Sequence, residues 1–114
     1  MGEPLQFPEF AKPQIRVVLW EGPGRPTEEG LRERLAAKGY GVVKWNSDSA
    51  RGYGPHAHIY PETMWVFEGS VTVALPAEGR LIELLPGDRI EIPQGVLHAV
   101  VAGAEGAAYL LATR

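Results

Sequence analysis

All three histidines of the 114-residue chain fall in two short segments, and with one glutamate they form a set of metal donors. The segment HAHIYPE carries His56, His58 and Glu62, and GDRIEIPQGVLH carries His98. Side chains on an extended strand alternate with a period of two, so His56 and His58 face the same way and can share one ion. Glu62 keeps that parity and adds a carboxylate oxygen if the strand continues through, or bends at, Pro61. His98 has to arrive from a different strand. Three imidazoles and a carboxylate suit one divalent transition ion per chain, drawn from Mn, Fe, Co, Ni, Cu and Zn. There is no cysteine, which excludes disulfides, thiolate ligands, zinc fingers and iron–sulfur clusters. Any metal sits on nitrogen and oxygen.

At these positions the chain resembles the cupin superfamily. Its first motif reads glycine, five residues, His-x-His, three or four residues, Glu, six residues, glycine, and His56, His58, Glu62 and Gly69 fit it. The second reads glycine, five residues, Pro-x-Gly, two residues, His, three residues, Asn, and is met by Gly87, Pro93, Gly95 and His98. Ala50 stands where the first glycine is expected, and Ala102 replaces the final asparagine; neither is a ligand position. The motifs and the segment between them span 50–102, about half of the chain. The resemblance implies a jelly-roll barrel with His56, His58, Glu62 and His98 as metal ligands.

Four protein ligands on an octahedral ion leave two positions for water, substrate or dioxygen. A carboxylate ligand lowers the net charge of the site and makes bound water less acidic than at a three-histidine zinc, which disfavours metal-hydroxide hydrolysis. Bidentate binding of an enol, hydroxy acid or catechol-like oxygen pair fits better. Cupins include dioxygenases, isomerases, sugar-modifying enzymes and non-catalytic binding proteins, and fold does not choose among them. Two readings stay open: a small-molecule metalloenzyme of dioxygenase or isomerase type, and a metal-stabilised binding or sensing module without chemistry. Candidate pocket residues are Tyr60, with the parity of His58; Met64 and Val66, as pocket wall; and Arg51 and Gln94, which flank the motifs and could bind a carboxylate or amide at the mouth.

The elements that position these residues are mostly strands. Residues 1–14 are proline-rich and read as an extended arm, and 15–114 as a single barrel domain. A strand is expected at 15–20, followed by one short helix with Thr27 as N-cap, Glu28 and Glu29 at its positive end, Leu31 and Leu35 as apolar stripe and Gly39 at the C′ position. Beyond it the pattern predicts strands at 40–46, 56–60, 63–68, 70–75, 80–84, 89–93, 97–102 and 107–112, separated by turn-forming residues. The fold class is therefore all-β, a jelly-roll barrel with one short N-terminal helix. Alternation puts Ile90 and Ile92 inside, Val71, Val73 and Leu75 on one face, and Met64 and Val66 inside with Glu62. Trp65 and Phe67 are left on the outer face. Such residues need a cover, and a homodimer partner is the expected one, with the arm or helix of the same chain as the alternative.

Length fits one domain with one core. A net charge of −3 without a basic cluster gives no footprint for nucleic acid or an anionic membrane, so a small molecule is the expected ligand. No apolar run is long enough to span a bilayer, and the first ten residues lack the order of a signal peptide, so the expected location is cytoplasmic.

Overall fold

The computed structural model describes residues 14–48 and 52–114. Among these residues seven strands and one α-helix follow in order: β1 (Arg16–Val18), α1 (Glu28–Ala37), β2 (Gly41–Ser47), β3 (Gly52–His56), β4 (Glu62–Leu75), β5 (Arg80–Leu84), β6 (Arg89–Ile92) and β7 (His98–Thr113). All pairings are antiparallel, in the order β1-β6-β4-β7-β2, with β3 on β7 and β5 on β4. This is the architecture of a jelly-roll barrel. The expected arm lies outside the described residues except for Gln14.

Two long strands carry the barrel. The segments expected separately at 63–68 and 70–75 are one strand, β4, and those at 97–102 and 107–112 are one strand, β7. Gly69 explains the difference. Its φ of +68° marks an irregularity that bends β4 without ending it, where the register against β7 shifts between Gly69 and Val71. A side chain at Gly69 would collide with the carbonyl of Gly106, whose φ is +77°, so the strands bend together at two glycines.

Alternation sorts the side chains into two layers. Met64, Val66, Val71, Val73, Leu75, Ile90, Ile92, Val100 and Tyr109 fill the barrel. The opposite face carries Trp65, Phe67, Ala108, Leu110 and Ala112, packed against Leu31 and Leu35 of α1. Trp65 and Phe67 are buried in this cluster, so their cover comes from the helix of the same chain, the alternative to a partner subunit. The helix is placed by local chemistry. Thr27 Oγ1 accepts from the Gly30 N–H, Gly39 takes φ +81° beyond the C-terminus, and Glu28 pairs with Arg32 and, at 2.9 Å, with Lys44 of β2. Arg34 of the same helix lies over the Trp20 ring at 4.9 Å. No helix among the described residues is long and apolar enough to cross a membrane.

Candidate metal centre

Strand register brings the two histidine segments together. β3 pairs with β7 so that His56 stands directly opposite His98, and their rings are 4.3 Å apart. The expected strand at 56–60 is not formed: β3 ends at His56, and His58 lies in the irregular segment after it. Shared strand parity therefore does not align His56 and His58. The alignment comes from a loop tied down from the second motif, where Gly95, at φ +80° in the turn after β6, donates its N–H to the His58 carbonyl at 2.8 Å. One turn thus delivers His98 and holds the loop of His58.

One ring nitrogen from each of His56, His58 and His98 lies within 4.8 Å of the others. Hydrogen bonds orient two of the rings. His98 Nδ1 is 2.9 Å from the Val96 carbonyl and His56 Nδ1 is 3.3 Å from that of Gly54; a donated Nδ1–H in each case makes Nε2 the nitrogen able to bind a metal. His98 Nε2 is buried without a hydrogen-bond partner among the described residues. His56 Nε2 and His58 Nε2 are 3.1 Å apart. Two nitrogens bound to one ion at about 2.1 Å span roughly 3.0–3.4 Å, so the spacing and the orphaned nitrogen fit a shared cation.

Glu62 begins β4 after Pro61 and is buried, its Oε1 3.6 Å from His58 Nε2 and without a hydrogen-bond partner among the described residues. Burial pushes its carboxyl above the usual value of 4.5, opposed by His58 and His56. The His98 imidazole is held below 6.5, first by burial, with the Val96 carbonyl opposing and the other two histidines adding to the shift. A neutral His98 is the ligating form.

The other sequence candidates separate. Tyr60 stacks on His58, rings 4.9 Å apart at 19°, and lines a cavity of about 800 Å³ together with His56, His58 and Glu62. Met64 and Val66 are buried in the core and are not among the residues lining that cavity. Gln94 is exposed in the turn before His98, and Arg51 lies outside the described residues. Sequence reasoning missed the opposite wall, Val43 and Trp45 of β2 with Leu111 of β7. The alternation of β2 hinted at a shared face for Val43 and Trp45, but which face depends on pairing with β7, more than 60 residues away.

No protein-family model matches the sequence, and no curated protein matches it either. Solved structures do. The polyketide cyclase RemF from Streptomyces resistomycificus is similar at a TM-score of 0.60 and 29% identity, over 65% of this chain and 53% of that one. This chain therefore matches about half of the cyclase. KdgF from a Halomonas species is similar at 0.54 and 27% identity, over 66% of this chain and 69% of that one. A cupin superfamily protein from Desulfitobacterium hafniense is similar at 0.58 and 14% identity, over 88% of this chain and 76% of that one, a likeness of fold. The described residues have the cupin fold.

Proposed function

We propose that this protein binds one divalent transition ion through His56, His58 and His98, with Glu62 as the fourth ligand, and acts on a small molecule in the adjoining cavity as a metalloenzyme of dioxygenase or isomerase type. The observation that carries the reading is the convergence of three imidazoles, two of them oriented through Nδ1 by backbone carbonyls. A structural role as ordinary buried polar residues would have given the Nε2 of His98 a partner. When bound, such an ion polarises a chelating oxygen pair and, if redox-active, opens oxygenation.

The chain's own part is to hold and shield. The Val96 and Gly54 carbonyls set the ring orientations, the Gly95 N–H fixes the loop of His58, and Tyr60 covers one face of that imidazole. Glu62 would supply negative charge at a place where burial pushes its carboxyl up and the neighbouring histidines oppose that shift. Likeness to a polyketide cyclase supports the enzymatic side of the reading.

The test is to load the protein with cobalt(II) and add acetohydroxamate. A change in the cobalt absorption shows positions open to a substrate. An unchanged spectrum at saturating hydroxamate would leave a closed structural ion and sink the enzyme reading.

A further inference from the structure

The cavity wall narrows what the site takes. Val43 and Trp45 stand two residues apart on β2, and the register sets them against Leu111 and Tyr109 of β7. Val43, Trp45 and Leu111 make one apolar side of the cavity, and Tyr60, lying flat on His58, contributes a ring to its lining. These residues are wet for their type. Trp45 is 45% exposed, Val43 59% and Tyr60 42%, on a concave surface that leads to the histidines. Apolar area in a concavity is removed from water by a ligand of matching shape and polarity.

Charge points the same way. Among the described residues that line the cavity, the carboxylates are Asp48 and Glu62, and there is no lysine or arginine. A charged body lying on this wall, away from the ion proposed above, would lose its hydration with no described cation beside it. Two aromatic rings and a β-branched side chain favour a planar apolar body.

We infer that the ligand is a flat, uncharged, largely apolar molecule, an arene or conjugated ketone, carrying adjacent oxygens at its leading edge. The oxygen pair rests on the metal reading above; the flat uncharged body rests on the wall alone.

Calorimetry with three probes separates the two: 2,3-dihydroxynaphthalene, which is flat with paired oxygens; 2-naphthol, which is flat with one; and tartrate, which is small and dianionic with paired oxygens. They are titrated into zinc-treated and metal-free protein, with zinc content measured on each sample. The zinc-loaded protein is expected to bind 2,3-dihydroxynaphthalene about tenfold or more tighter than tartrate. Trp45→Ala is expected to weaken that binding about tenfold at unchanged zinc content, and Trp45→Phe to retain most of it. If zinc does not bind, the metal reading fails alone, and 2-naphthol against tartrate on the same protein decides the inference by the same criteria. Tartrate binding as tightly as the naphthalenes would overturn it. So would Trp45→Ala without effect, or a wall that takes no naphthalene because a second copy of the chain covers it, seen as a Trp45→Ala shift in sedimentation.

Discussion

Tyr109→Phe should make the protein more stable, an unusual sign for a change inside a core. Tyr109 is fully buried within the barrel, opposite Val66 and Trp45, and its hydroxyl has no hydrogen-bond partner among the described residues. A buried hydroxyl left unpaired costs about 1–3 kcal/mol. Removing the oxygen leaves a void of roughly 15 Å³, which at about 24 cal/mol per Å³ costs about 0.4 kcal/mol. The ring keeps its packing. The net expectation is a gain of about 1–2 kcal/mol, or a melting temperature higher by about 4–8 °C for a domain of this size. Urea unfolding of wild type and variant in EDTA, with equal slopes, measures it. A loss of about 1 kcal/mol would refute the reasoning, because it would mean that the hydroxyl is hydrogen-bonded in the folded protein. The other two orphaned atoms, His98 Nε2 and Glu62 Oε1, belong to the candidate metal centre and carry no such expectation.

Leu31→Ala removes a buried side chain that covers Trp65 and Phe67, and should cost about 2–5 kcal/mol with a red shift of tryptophan emission; unchanged emission would mean another element covers that face. Stability of the metal-free protein should carry a histidine signature. The folded-state value of His98 lies below 6.5, so the unfolded chain binds the extra proton first; its contribution is complete above that pH and is lost as pH falls toward the folded-state value. Glu62, raised above 4.5, works in the opposite direction, so the comparison is wild type against His98→Gln across pH 8 to 5. The difference between the two should shrink on acidification, and a difference that grows would contradict the buried neutral imidazole.

Much of this fold could be read from local pattern. The Thr27 cap, the buried Leu31 and Leu35, and the alternation of Val71, Val73, Leu75, Ile90 and Ile92 are set by neighbours in sequence, and each lies as expected. Strand ends were less legible, because a glycine inside a bent strand and a glycine at a turn look alike; Gly69 bends β4, whereas Gly79, at φ +61°, closes the turn before β5. The histidines were visible through spacing, but the means of bringing them together was not. His58 owes its place to a hydrogen bond from Gly95, a contact across 37 positions. The covers of the two barrel faces were least legible. Both Trp65 beneath α1 and Trp45 on the cavity wall depend on tertiary register that alternation alone does not encode.

The most direct test of the metal centre is the metal content per chain of untagged protein, by elemental analysis after equilibration with excess iron, manganese, nickel or zinc, beside His98→Ala treated in the same way. One ion per wild-type chain and a severe loss in the variant are expected, because His98 supplies the nitrogen contributed by β7. Wild-type protein that refuses every metal, or a variant that keeps full stoichiometry, would contradict a centre built on His56, His58, Glu62 and His98.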